Sequence, residues 1–164
     1  MKNESDTWLD TYQYKIIEEL KNIRCKYICF ENMIKLNGYS VPLISPNDMK
    51  IFLEKHNLYS NIDTNHFAQC GISIADAAKI LKERVKTIHL SDYKNSGKHI
   101  FVGEGKLCFI DFFNNLNIND LYSITLECDI DHEDTDINQI VNRTKLSKKY
   151  IENILFNTVG GVEN

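Results

Sequence analysis

The sequence predicts an α/β fold in which helices cover a parallel sheet. Predicted helices and strands alternate along the chain, starting with a helix and continuing with four strand–helix units. The ends of successive strands lie 26 to 38 residues apart, which is the size of a βαβ unit. Parallel sheets of this kind bind ligands beyond the carboxyl ends of their strands. All four predicted strands end in a side chain that can bind a metal ion: Glu31, Asp63, His89 and Glu127.

Composition is that of a soluble globular protein, with 43% hydrophobic and 26% charged residues, and 164 residues suffice for one domain with a sizeable core. The net charge of -4 argues against strong binding to a nucleic-acid backbone, so nucleic acid is not an expected partner. No apolar run approaches the ~20 residues of a membrane span, and the first residues are polar and acidic, unlike a signal peptide. Five cysteines without framework spacing predict reduced thiols and a cytoplasmic location.

The first half of the chain contains two predicted helix–strand pairs. Apolar residues at three- and four-residue spacing predict a helix over 7–23, and a strand follows over 24–32. The dipeptide Ser45–Pro46 supplies a cap and a first helical residue for the second helix. The next strand is predicted over 58–63, and we expect a loop from there through Gly71.

The second half contains two further predicted strands and three helices. The segment Ser73–Asp76 resembles a capping box and opens the first of these helices. A polar loop over 93–105 separates the third strand from a helix rich in phenylalanine. The predicted strands cover 85–89 and 123–127, and the predicted helices cover 73–84, 107–116 and 137–155, the last with a break near Ser147 and a frayed tail from 157.

The four strand-end side chains predict a site for a divalent cation. Such an ion takes several oxygen ligands, and an imidazole shifts the preference toward Mn, Zn, Fe or Co over Mg or Ca. Without a cation the three carboxylates would repel one another. The ordinary alternative is that all four are solvated side chains at strand ends. We expect a divalent metal ion, with Mn, Zn, Co and Mg as the candidates.

Four short motifs resemble the xylose-isomerase-like TIM-barrel superfamily. The superfamily contains sugar and sugar-phosphate isomerases and epimerases, inosose dehydratases and zinc-dependent abasic-site endonucleases. The motifs occur in the order of that superfamily and at βα spacing, and the likeness extends from about residue 10 to residue 155. They are Asp63–His66 (DTNH), His89–Asp92 (HLSD), Val102–Gly105 (VGEG) and Ile124–Glu127 (ITLE).

The resemblance implies specific roles for the strand-end residues. Glu31, Asp63, His89 and Glu127 match the metal ligands of the superfamily. Glu31 and Glu127 also match the catalytic acid/base pair of its epimerases.

The resemblance also implies roles for two histidines. His66 matches a residue that contacts substrate in the epimerases, or a second metal in the endonucleases. His99 matches a further zinc ligand of the endonucleases, whose partner aspartate two positions earlier is Gly97 here. We expect both histidines to bind substrate. Asp92 has two open roles, since it could orient His89 or cap the turn that follows it.

The resemblance implies a partial (β/α)8 barrel that forms a single domain over residues 1–164. A complete barrel has eight strands and about 250 residues, and this chain supplies what look like strands five to eight. A half barrel leaves two unpaired edges and, we expect, one apolar sheet face. Pairing of two copies, a second chain that supplies the other half, and a truncated reading frame are the three alternatives.

The function that follows is a metal-dependent isomerase or epimerase of a small sugar or sugar phosphate. The cation would act as a Lewis acid that favours an enediolate, while Glu31 and Glu127 remove and return a proton. Two alternatives remain: a zinc phosphodiesterase similar to the endonucleases, and a half-barrel remnant without turnover.

Overall fold

Four parallel strands form the centre of the molecule. A computed structural model describes residues 15, 17–20, 23, 28–35, 43–95, 97–130 and 136–159. The strands lie in the order β1-β2-β3-β4, so each strand is next to its neighbour in sequence. The predicted fold class, about four parallel strands with outer helices, is therefore confirmed. The strand bounds are β1 Cys29–Glu31, β2 Tyr59–Asp63, β3 Val85–Leu90 and β4 Ser123–Leu126.

Five helices connect or follow these strands. They are α1 Pro46–His56, α2 Thr64–Gln69, α3 Ile74–Leu81, α4 Phe109–Asn114 and α5 Ile137–Val159. Both predicted caps form, because the hydroxyl of Ser45 accepts from the Asp48 amide and that of Ser73 accepts from the Asp76 amide. None of the described helices combines the length and the apolar character needed to span a membrane.

The hydrophobic core lies between one face of the sheet and the helices. Successive side chains of a strand point to opposite faces, so Ile62 and Ile88 on the central strands both point toward the helices and are completely buried. Phenylalanine side chains supply much of the volume opposite them. The largest fully buried side chains on the helices are those of Phe67, Phe109, Phe112, Phe113, Met49, Leu53 and Leu81.

Residues 64–69 form a helix where a loop was predicted. Asp63 ends β2 and also caps α2, since its Oδ1 accepts the His66 amide at 2.8 Å. A helix of six residues is too short to show an apolar period. The carboxylate cap was the available sequence signal.

The last helix is continuous from Ile137 to Val159, so the predicted break near Ser147 is wrong. The Ser147 side chain is buried and its hydroxyl donates to the Val102 carbonyl at 3.0 Å. This serine anchors the helix instead of ending it. The predicted helix over 7–23 and the start of the first predicted strand lie mostly outside the described residues.

The second face of the sheet is polar, in contrast to the expected apolar face. It carries Asn61 on β2, Thr87 on β3, and Ser123 and Thr125 on β4, the last two exposed. Within the described residues, β1 pairs only with β2 and β4 only with β3, so the two expected free edges are present. A half barrel with a polar inner face exposes less apolar surface than one lined with branched aliphatic residues.

Candidate functional site

The four predicted strand-end residues lie together at the carboxyl edge of the sheet. Glu31 and Asp63 are the last residues of their strands, His89 is the last but one of β3, and Glu127 directly follows β4. Each offers one potential ligand atom, and these four atoms lie within 4.8 Å of one another. Parallel strands bring their carboxyl ends to one edge, and this property produces the cluster.

The imidazole of His89 lies between two carboxylates. Its Nδ1 is 2.8 Å from Glu31 Oε1 and 2.7 Å from Glu127 Oε2. An imidazole carries at most one positive charge, so His89 cannot neutralise the three carboxylates of Glu31, Asp63 and Glu127. The donor set therefore has an excess of negative charge and the ligand chemistry that suits a divalent cation.

Asp63 gives the most specific evidence that the site fits a cation. Its side chain is completely buried, and Oδ1 is used by the helix cap. The other oxygen, Oδ2, is buried without a hydrogen-bond partner among the described residues. His99 Nδ1 lies 3.8 Å from this oxygen, beyond hydrogen-bond distance. A buried carboxylate oxygen without a hydrogen bond is costly, and a bound cation would offset that cost. The residues present thus fit a divalent ion held by Glu31, Asp63, His89 and Glu127.

Asn32 fastens the ends of β1 and β2 to each other, a role that the sequence did not reveal. Its amide nitrogen donates to the Asp63 carbonyl at 3.0 Å, and its Oδ1 accepts the Asp63 amide at 2.7 Å. The Asn32 carbonyl lies 2.9 Å from His66 Nδ1. Because a carbonyl only accepts, Nδ1 of His66 is the donor in this hydrogen bond, and Nε2 is the ring nitrogen that remains to bind a ligand.

The two predicted substrate-binding histidines lie beside the same aspartate. The ring centroids of His66 and His99 are 5.3 Å apart, nearly perpendicular, and His99 Nδ1 is 3.8 Å from Asp63 Oδ2. Potential ligand atoms of Asp63, His66 and His99 lie within 4.8 Å of one another. All six predicted site residues thus occupy two groups that share Asp63. Their metal-binding, catalytic and substrate-binding roles remain predictions.

Asp92 organises the loop after β3 and makes none of its described hydrogen bonds to His89. Its Oδ1 accepts the amides of Tyr93 and Leu107, and its Oδ2 accepts those of Gly103 and Gly105. Of its two open roles, the structure supports the turn cap. A Cβ at Gly105 would overlap the Asp92 carboxylate and lie 2.7 Å from the Tyr93 carbonyl oxygen, which explains the glycine.

Replacing Asp92 with asparagine is expected to destabilise the fold by about 3 kcal/mol. The new NH2 group would face two of the four amide donors and leave these part-buried groups without their acceptor. Asp129→Asn is the control, because Asp129 accepts a single described amide, that of His99. Urea unfolding measures both, and equal stability of the two variants would contradict this role of Asp92.

The turn Gly103–Gly105 is also bonded to the last helix. Arg143 on α5 donates to both oxygens of Glu104 at 2.8 and 2.7 Å, and its guanidinium lies 4.1 Å from the centre of the Phe101 ring. The hydrogen bonds from Arg143 lower the pKa of Glu104. Glu104 therefore joins the loop to the last helix.

Fold and site together define part of an α/β barrel with a cluster of side chains that could hold a metal ion at its carboxyl end. No protein-family model and no curated protein matches the chain. Solved structures do match it. A D-psicose 3-epimerase from Clostridium cellulolyticum H10 matches 94% of this chain and 59% of its own, with a TM-score of 0.73 and 12% identity.

Two further solved structures match similarly. A D-tagatose 3-epimerase-like protein covers 86% of this chain and 52% of its own (TM-score 0.63, 23% identity). An L-ribulose 3-epimerase covers 90% of this chain and 52% of its own (TM-score 0.64, 17% identity). The chain thus spans about half the length of the structures it matches. At these identities the likeness shows the fold, and the resemblance to xylose-isomerase-like barrels is confirmed at that level.

Proposed function

We propose that this chain carries the metal and proton-transfer site of a ketose epimerase or isomerase. The single observation that carries the proposal is the convergence of Glu31, Asp63, His89 and Glu127, with a buried Asp63 oxygen that has no hydrogen-bond partner among the described residues. The substrate class is inferred from solved structures of the same fold, whose names refer to tagatose, psicose and ribulose 3-epimerases. These sugars are ketoses.

The cation would be held by these four side chains, and when bound it would polarise the ketose carbonyl as a Lewis acid. Glu31 and Glu127 reach the site from opposite edges of the sheet. One carboxylate would take the proton from the carbon next to the carbonyl, and the other would return a proton from the opposite side, through an enediolate. Proton transfer from opposite sides inverts the carbon, which is epimerisation.

The two histidines would bind substrate oxygens. His66 Nε2 is available because Nδ1 is occupied by the Asn32 carbonyl. His99 is mostly buried, and its Nδ1 is without a hydrogen-bond partner among the described residues. Potential ligand atoms of both rings lie within 4.8 Å of an Asp63 oxygen, so the two histidines are next to the proposed cation site.

The barrel would be completed by strands beyond those of the described residues. Both sheet edges are unpaired within the described residues, and an apolar groove of about 360 Å³ lies between β4 and α5, lined in part by Ile124, Leu126 and Leu155. A second copy of the chain and a different chain are both compatible with these edges. The mass of the particle in solution, measured by light scattering, separates them.

Proton exchange with solvent is the sharpest test of the function. Incubated in D2O with Mn2+ or Co2+ and D-tagatose, D-fructose or L-ribulose, the protein is expected to incorporate deuterium at the carbon next to the carbonyl. Mass spectrometry detects this even when net epimerisation is slow. A chelator should abolish the exchange. Absence of exchange with every metal, in protein that binds the metal, would support the remnant without turnover.

A zinc phosphodiesterase is the second candidate, favoured by the group Asp63, His66 and His99. That reaction uses two or three metal ions, whereas the epimerase needs one. Gly97 counts against it, because it stands where the endonucleases have an aspartate, and its positive φ of 72° suits glycine. Native mass spectrometry of the zinc-loaded protein counts the ions and distinguishes the two functions.

A further inference from the structure

We propose that Asn61 and Thr87 are positioning residues that hold the Glu31 carboxylate in place for the cation, an inference that rests on the proposed function. Glu31 pairs with Asn61 across β1 and β2, and Asn61 pairs with Thr87 across β2 and β3. The three side chains therefore form one row on the polar face of the sheet. Asn61 and Thr87 belong to neither group of potential metal ligands.

A chain of two hydrogen bonds joins the row. The Thr87 hydroxyl donates to Asn61 Oδ1 at 2.9 Å, and Asn61 Nδ2 donates to Glu31 Oε1 at 3.3 Å. Chemistry determines both directions. An ionised carboxylate only accepts, so the NH2 group of Asn61 must face Glu31. Its oxygen then faces Thr87, whose hydroxyl has one proton and donates it there.

Glu31 needs such support because it ends an edge strand. Its side chain is about one-third exposed (32%), and its strand has a neighbour on one side only among the described residues. Asn61 belongs to an inner strand and is 6% exposed, so its position is set by packing. The row therefore connects the Glu31 carboxylate on the edge strand β1 to the inner strands β2 and β3. Partners that orient metal ligands in this way commonly change metal affinity 10- to 100-fold.

Cobalt binding tests this role without any assay of turnover. Four variants are titrated with Co2+ and followed by visible absorption, which reports ligand geometry: Asn61→Leu, Thr87→Val, Thr87→Ser and the control Thr125→Val. We expect Asn61→Leu to bind about 10- to 100-fold more weakly, with an altered absorption spectrum. Thr87→Val should also weaken cobalt binding and alter the absorption spectrum, but to a smaller extent. Thr87→Ser retains the hydroxyl, and Thr125 is outside the row, so both should behave as wild type.

The outcomes separate this inference from the proposed function. If the wild-type protein binds no cobalt, the result contradicts the proposed metal site and, with it, the positioning role. If the wild type binds cobalt, and Asn61→Leu and Thr87→Val bind it with unchanged affinity and spectrum, only the positioning role is wrong. Circular dichroism verifies folding, and should Asn61→Leu fail to fold, the comparison of Thr87→Val with Thr87→Ser decides.

Discussion

Replacing Asp63 with asparagine is expected to abolish cation binding while the fold keeps its stability. The two oxygens of this carboxylate have separate roles: Oδ1 caps α2 through the His66 amide, and Oδ2 is buried in the site without a hydrogen-bond partner among the described residues. Asparagine retains the capping oxygen and replaces the other with NH2, which cannot ligate a cation. We expect affinity for Mn2+ or Co2+ to fall by more than the roughly 100-fold that the loss of a residue hydrogen-bonded to a metal ligand can cost. Isothermal titration calorimetry measures it.

Stability measurements complete the Asp63 test. Asp63→Ala removes the cap as well and should lower the free energy of unfolding by about 1 kcal/mol more than Asp63→Asn does. Asp76→Asn, an exposed aspartate in the first turn of α3, is the control and should leave cation binding unchanged. Wild-type affinity in Asp63→Asn would contradict the assignment of Asp63 as a ligand of the cation.

Replacing Glu127 with glutamine is expected to abolish turnover while the cation still binds. Glutamine keeps a carbonyl oxygen that can ligate, but it cannot take up or return a proton at neutral pH. General acid–base catalysis contributes about 100- to 10,000-fold, so we expect exchange of substrate hydrogen with D2O to fall within that range or below detection. Exchange is measured at saturating Mn2+ so that any loss of affinity is separated from the loss of chemistry.

Two further variants serve as comparisons for Glu127→Gln. Glu152→Gln changes an exposed glutamate on α5, outside both ligand groups, and should exchange like the wild type. Glu31→Gln should also lose exchange, since the mechanism assigns one proton transfer to each carboxylate. Undiminished exchange in Glu127→Gln would refute its catalytic role and leave the metal site unaffected.

Much of the site could be predicted from the sequence because strand direction alone brings the ligands to one edge. The ends of four apolar runs indicated Glu31, Asp63, His89 and Glu127 as site residues. In the structure their potential ligand atoms lie within 4.8 Å of one another. The helix after Asp63 was missed because its signal is a single carboxylate cap, and six residues carry no period. The break expected at Ser147 was wrong because a buried serine can bond to a distant carbonyl and leave its helix intact.

The sequence by itself determined the class of fold and the edge at which the site lies, since both follow from local patterns: alternating elements, the two-residue period of strands and the parallel direction of βαβ units. Only the tertiary structure decided which side chains support the ligands. The row of Glu31, Asn61 and Thr87 joins residues 30 and 26 positions apart, and Asp92 gathers amides up to 15 residues away. Such partners are chosen by register and loop path, which depend on the packing of the whole chain and leave no mark in the local sequence.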